Sequence, residues 1–119
     1  MVGLFSYPKR RLKKLVKDGE YVEALEFGKS LESKFSQDPD FMFIMGSIYY
    51  ILEDSKKAIP YFERALELAG NDVETLTLKT NAHLALQQKD EAIECCKLIL
   101  KLQPENYEAH GLLEKLENL

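Results

Sequence analysis

A spacing of 34 residues constrains this chain more than any other feature it has. Ala24, Ala58 and Ala92 stand 34 apart, Leu25, Ile59 and Ile93 follow them directly, and Asp38, Asp72 and Asn106 form a third ladder at the same interval. Asp and Asn are good helix N-caps, because their side chains accept hydrogen bonds from the orphan N–H groups of a first turn. A helix is therefore expected to begin just after each member of the third ladder. A period of this length marks an array of supersecondary units, each too small to bury its apolar face except against its neighbours.

The clearest unit covers residues 39–72 and holds two helical halves. An apolar run from Phe41 to Leu52 is followed by Ala58, Ile59, Phe62, Ala65 and Leu66, apolar at intervals of three and four with charges between them. Gly46, Ala58 and Ala65 are small residues among Met42, Met45, Tyr49 and Phe62. That mixture predicts two helices in close approach with aromatic rings filling the seam. A turn is expected at Glu53, Asp54 and Ser55, with Pro60 in the second turn of the following helix, where its missing donor costs less than at mid-helix. Gly70 and Asn71 end the unit.

The remaining units follow the same register. Residues 1–7 read as an irregular lead-in, and Pro8 suits the first turn of a helix running to about Asp18. Gly19 supplies a left-handed turn, and a second helix is expected from about Tyr21 to Phe35. The third unit runs from Val73, turns at Gln87 and Gln88, and continues through Ala92, Ile93, Cys96 and Ile99 to Pro104. From Tyr107 an amphipathic helix, with Leu112, Leu113, Leu116 and Leu119 on one side, closes the array. The expected organisation is one all-α domain over residues 1–119, with units at about 5–38, 39–72 and 73–106 and a capping helix at about 107–119.

In the second unit Met42-x2-Met45-Gly46-x2-Tyr49, then Ala58-x3-Phe62 and Ala65, with Gly70 in place of proline, resembles the tetratricopeptide repeat, whose pattern is W-x2-L-G-x2-Y, A-x3-F, P. The third unit matches at Leu76, Ala92 and Pro104 and departs at Lys79, Thr80, His83 and Cys96. The first keeps Gly19, Tyr21 and Ala24, while Pro8, Arg11 and Leu12 replace the large, leucine and glycine slots. The resemblance covers about residues 8–119 and implies an α-solenoid of three helix-turn-helix repeats with a seventh capping helix, wound as a right-handed superhelix. In the first and third units a larger residue takes the glycine slot (Leu12, Thr80) and a smaller one the aromatic slot (Gly28, Cys96), so volume is expected to be exchanged across the seam, which cores tolerate better than a net change. Arg11 lies on the outermost helix, with no preceding unit to pack against.

Composition narrows the function classes. With 119 residues, 45% hydrophobic and 30% charged, the chain has the balance of a globular protein with a core, and only four prolines and six glycines interrupt it. Its longest apolar stretch, Phe41 to Leu52, falls well short of the roughly 20 residues that span a bilayer. The N-terminus runs apolar first (Val2, Leu4, Phe5) and basic afterwards, the reverse of a secretory signal, and Val2 stands where myristoylation requires glycine. A cytoplasmic location is the expectation. Cys95 and Cys96 are adjacent and offer neither a disulfide framework nor a metal-ligand spacing, so they read as core filler with one neighbour partly exposed. Net charge is −4, but residues 1–17 hold six cations and no acid, which leaves ten cations against twenty acids, a net of −10, on the rest.

No nucleophile elbow, H-E-x-x-H motif, glycine-rich phosphate loop or C-x-x-C pair is present in the sequence. His83 and His110 fall in packing slots. The chain is read as not an enzyme, with no cofactor and no metal. What remains is a surface. Arrays similar to this one bind a partner segment, often an extended peptide, on the concave face built by the first helix of each unit. Carried over by register, the resemblance places Lys9, Lys13 and Lys17 on that face from the first unit. It adds Phe43, Ile44, Ser47, Tyr50 and Ile51 from the second, Glu74, Thr77, Leu78, Asn81 and Ala85 from the third, and Gly111 and Lys115 from the last helix. Four helices at 8–10 Å between axes span roughly 27 Å, enough for about eight extended residues. A groove basic at one end and apolar to aromatic in the middle fits a protein or peptide partner with acidic residues beside bulky apolar ones.

The chaperone-binding members of the family hold a C-terminal carboxylate at slots that fall here on Lys9, Lys13, Ile44, Glu74 and Leu78. Only Lys9 agrees, which argues against that mechanism. The basic run also contains like-charge pairs four apart, Lys9 with Lys13, Arg10 with Lys14 and Lys13 with Lys17, each unfavourable by about 0.2–0.5 kcal/mol. Two further readings stay open: attachment to nucleic acid or an acidic membrane through Lys9 to Lys17, with Leu4 and Phe5 as anchors, and weak self-association into a homo-oligomer through the array ends.

Overall fold

A computed structural model of the chain describes the backbone of residues 2–119 and the side chains of 7–119. Among the described residues there are seven helices and no strand: α1 Val2–Lys17, α2 Tyr21–Leu31, α3 Pro39–Ile51, α4 Ser55–Ala69, α5 Val73–Ala85, α6 Lys89–Leu102 and α7 Tyr107–Glu117. Helices α3, α5 and α7 begin 34 apart because their caps do. Asp38 accepts from the N–H of Asp40 at 2.9 Å and of Phe41 at 3.2 Å, Asp72 from Thr75 at 3.0 Å, and Asn106 from Ala109 at 2.9 Å.

The link from first to second helix repeats as well, through a slot whose residue type changes each time. Gly19, Glu53 and Gln87 all adopt positive φ, at 78°, 63° and 58°. In each case two N–H groups fold back onto the preceding helix. Glu20 donates to the Leu15 carbonyl at 2.9 Å, Asp54 to Tyr49 at 2.8 Å and Gln88 to His83 at 2.8 Å, while Gly19, Glu53 and Gln87 donate to Val16, Tyr50 and Leu84 at 3.0–3.1 Å. This double bond pattern satisfies carbonyls that a helix end leaves orphaned.

Two helix bounds differ from expectation. Helix α1 starts at Val2, so Pro8 lies inside it and residues 2–7 are helical, not a lead-in. Pro8, in the second turn of α1, lacks the N–H that would bond the carbonyl four residues back and crowds that carbonyl with its ring, and the helix continues through it as α4 continues through Pro60. Helix α2 ends at Leu31 and not Phe35. The backbone tightens into turns from residue 32 to 37, and the Phe35 ring stacks on Phe41 of the next unit with centroids 5.5 Å apart.

The seams obey the volume exchange. A Cβ at Gly46 would sit 2.7 Å from the Phe62 ring, so these two helices touch through a glycine and an aromatic. In the first unit Leu12 is fully buried opposite Gly28, where a Cβ would run into Sδ of Met45 from the second unit. Thr80 and Cys96 share the third seam, both buried. Neither cysteine is partly exposed, and burial pushes both thiols above their ordinary pKa. Arg11 has found a partner within its own unit, its guanidinium 4.6 Å above the Phe27 ring. His83 fills its packing slot, buried, with Nδ1 2.7 Å from Gln88 Oε1.

Helix α7 covers the last pair with Ala109 and Leu116, both buried. Its expected apolar side is incomplete, since Leu112 and Leu113 are half-buried and Leu119 is exposed. His110, expected as a packing residue, is also exposed and donates from Nε2 to the Pro104 carbonyl at 2.7 Å.

Candidate binding face

Consecutive helices pack in chain order, and the backbone of α3 also comes close to both α1 and α5, whereas the backbones of α2, α4 and α6 stay further apart and α4 reaches the end of α2 and the turns beyond it only through side chains, Tyr61 to Glu32 and Arg64 to Gln37. Closer approach on one side than on the other curves the row, so the first helix of each unit lines the inner face. The molecule is elongated, 51 × 26 × 23 Å.

The sequence-predicted residues occupy this face unevenly. Phe43, Tyr50 and Leu78 are half-buried, each packed by one side against the core shared by the first two units, and Ile51 is 42% exposed. Ile44, expected on the groove, is buried at 8% exposure, because it points into the seam and not along it. Ser47 is half-buried and gives its hydroxyl proton to the Phe43 carbonyl at 2.8 Å, so it serves its own helix. Asn81 is half-buried and lines a small cleft of about 110 Å³ with Thr77, Thr80 and Glu108.

The basic end is built differently from the sequence reading. Lys9 Nζ donates to Asp38 Oδ2 at 2.8 Å and lies 3.2 Å from Asp40 Oδ2, which Lys13 Nζ approaches to 2.9 Å. Lys14 pairs with Asp18 at 3.1 Å. Burial works against the charge on Lys9, but the hydrogen bonds to Asp38 and Asp40 outweigh it and raise the ammonium pKa above its ordinary value. Burial also works against ionised Asp40, and Lys13 and Lys9 overcome it to hold that carboxyl below the usual range. Lys9 and Lys13 are thus compensated from the start of α3, about 30 residues away in sequence, and Lys14 from Asp18 just past its own helix. Lys13 and Lys17 remain exposed. Leu4 and Phe5, read as anchors, lie outside the described side chains.

Sequence reasoning missed Asp40, which the structure sets beside Phe43, Asp72 and Glu74 around a cleft of about 280 Å³ between α3 and α5. A signal for it exists in the 34-residue ladder Asp40, Glu74, Glu108. Read in one dimension, that ladder is indistinguishable from the acids commonly placed in a helix's first turn. No helix among the described residues is long and apolar enough to cross a membrane.

Several solved structures share this architecture. The first TPR of Spaghetti (RPAP3), bound to the HSP90 peptide SRMEEVD, is 24% identical, with 96% of this chain and 90% of that one covered at a TM-score of 0.84. The Yersinia enterocolitica type III secretion chaperone SycD, in complex with a peptide of the translocator YopD, is 14% identical over 94% and 91%, with a TM-score of 0.84. The MamA protein aligns over 99% of this chain and 64% of its own at 15% identity and a TM-score of 0.87. No curated protein matches the sequence. A family model described as Tetratricopeptide repeat matches residues 49–116, more than half of the chain. With the 34-residue units, their left-handed turns and their glycine–aromatic seam, this places the chain in the tetratricopeptide repeat family.

Proposed function

We propose that this chain is a small adaptor, without enzymatic activity and acting in the cytoplasm, whose residues 1–119 form one domain that binds an extended segment of a partner protein on its inner face. The observation that carries this reading is the apolar row Phe43, Tyr50, Ile51 and Leu78, left partly open on the face where α1, α3 and α5 meet. Apolar surface in a concave setting gains free energy when covered. Two proteins with the same architecture are recorded with bound peptides, of HSP90 and of YopD, which supports a peptide as the occupant.

The site comprises Lys9, Lys13, Lys17, Phe43, Ser47, Tyr50, Ile51, Leu78 and Asn81, in unequal roles. Tyr50, Ile51 and Leu78 take bulky apolar side chains of the partner, and Lys17 takes an acidic one, with Lys13 beside it held by Asp40. Lys9 and Ser47 act indirectly, by holding α1 against α3 and by bonding within α3. Attachment to nucleic acid or an acidic membrane is the weaker reading, because Lys9, Lys13 and Lys14 already face carboxylates of this chain. The test is capture of partners by the wild type, by Tyr50→Ala and by a Lys13→Glu/Lys17→Glu variant. Each variant is expected to lose partners that the wild type holds; an unchanged partner set for both would overturn the groove.

A further inference from the structure

The 34-residue period repeats the clefts between successive first helices, and the first of them shows what the second one lacks. In the first, Lys9 sits between Asp38 and Asp40. One period on, the same slots hold Phe43, Asp72 and Glu74, and two periods on they hold Thr77, Asn106 and Glu108. We infer that the second cleft, where Phe43, Asp72 and Glu74 stand beside Asp40, itself already paired with Lys9 and Lys13, receives at Asp72 and Glu74 the ammonium or guanidinium of a lysine or arginine from the bound partner segment. This rests on the groove reading above and names a side chain that the segment must carry.

The parallel extends to individual oxygen atoms. Asp38 divides its carboxylate: Oδ1 caps α3 through the N–H groups of Asp40 and Phe41, and Oδ2 takes the Lys9 ammonium. Asp72 caps α5 with Oδ2, which accepts from the Thr75 N–H at 3.0 Å and the Thr75 hydroxyl at 2.6 Å, and its Oδ1 takes no part in the cap. Glu74, in the slot of Asp40, is exposed. Phe43, in the slot of Lys9, brings no positive charge. Its ring leans on Phe62 at 6.2 Å between centroids, and Phe43 stays half-buried at the cleft. An aromatic face beside two carboxylates attracts a cation by charge and by the ring quadrupole together.

The size of the opening agrees. The second cleft holds about 280 Å³, the third only about 110 Å³, and the third has neutral Asn106 where the second has Asp72. A basic side chain therefore distinguishes the second cleft from the third. It also sets the segment's charge pattern, with a base opposite α3 and α5 at their N-terminal ends and an acid toward Lys17 at the C-terminal end of α1.

The experiment selects a phage-displayed library of random ten-residue peptides on the full chain, then measures affinity for one synthetic selected peptide. Expected are sequences sharing a lysine or arginine at one fixed position. Binding should weaken roughly tenfold or more when that residue becomes alanine, the loss expected for a charge-assisted contact. An Asp72→Asn/Glu74→Gln variant, which keeps a capping side chain at 72, should weaken the parent peptide by a similar factor and leave the alanine peptide unaffected. Peptides that bind, and are weakened by Tyr50→Ala, but share no fixed basic residue would overturn this inference and leave the groove standing. Should no peptide bind, the groove reading fails and this one with it.

Discussion

The first two units build the same pair of helices from opposite choices. In the first, Leu12 is the large residue on the first helix and Gly28 the small one opposite, but the space at Gly28 is taken chiefly by Met45 of the second unit, with Leu12 behind it; in the second, Gly46 leaves the space and Phe62 fills it. At the inter-unit cleft the first closes on itself with Lys9 between two carboxylates, and the second stays open behind Phe43. What the repeat keeps at its seams is a large residue facing a small one, supplied by whichever helix carries it, whereas the charge at its clefts changes from one unit to the next. A seam slot can therefore change type when its partner across the seam changes too.

The largest effect should come from the residue that fills the second seam. Phe62 is fully buried, and Phe62→Ala should cost about 3–5 kcal/mol by analogy with other buried aromatics. That is a large part of the ~5–15 kcal/mol typical of a domain, and chemical denaturation would read it directly. If the loss is under about 1 kcal/mol, the seam does not hold the array together.

The two seam glycines separate more finely. Both lie inside helices, where alanine is intrinsically better by about 1 kcal/mol. At Gly46 the new methyl meets a ring 2.7 Å away, which cannot bend aside, and overpacking of about 1–3 kcal/mol should leave Gly46→Ala net destabilised. At Gly28 the obstacle is the flexible end of Met45, so Gly28→Ala should fall near zero. Equal losses at both sites would show that the partner across the seam is irrelevant.

Charge at the first cleft gives a smaller, pH-dependent effect. Folding depresses the Asp40 pKa, so its contribution is fully present above the unfolded value of 3.8 and is lost as pH falls through the folded one. Folding raises the Lys9 pKa, so its contribution is present at neutral pH and lost only as pH rises above 10.5. These side chains are 25% to 53% exposed, and solvent screening limits the set to roughly 0.5–1 kcal/mol. A Lys9→Met/Lys13→Met variant should be less stable than wild type by that amount at pH 7, and the gap should close below about pH 4. A gap independent of pH would assign it to packing of the lysine stems.

Much of this was legible from spacing. Asp38, Asp72 and Asn106 fixed three helix starts because capping is local chemistry, and Gly46 with Phe62 announced the tight seam because a small and a large residue recur at helical intervals. The Lys9 pairs were not legible, since the acids lie 29 and 31 residues away and a run of cations in sequence looks unbalanced until α3 folds beside α1. Ile44 was misplaced because a rotation of one residue about a helix, about 100°, separates seam from groove. The extent of α1 was misjudged because Pro8 reads equally well as a first-turn residue and as a tolerated interior one.

The left-handed turn was visible only where its residue was glycine. Gly19 announced it, while Glu53 and Gln87 adopt the same conformation, 34 and 68 residues on, with side chains that disfavour it. An L-residue held there gives up roughly 1–2 kcal/mol, and glycine recovers this less about 0.5–1 kcal/mol for its freer unfolded chain. Glu53→Gly and Gln87→Gly should each therefore stabilise the fold by about 0.5 kcal/mol, and Gly19→Ala should destabilise it by a comparable or larger amount. Thermal melts of the three variants would resolve the signs. If Glu53→Gly lowers the midpoint, the Glu53 side chain contributes more at that turn than its backbone conformation costs, and the first two units would then differ there too.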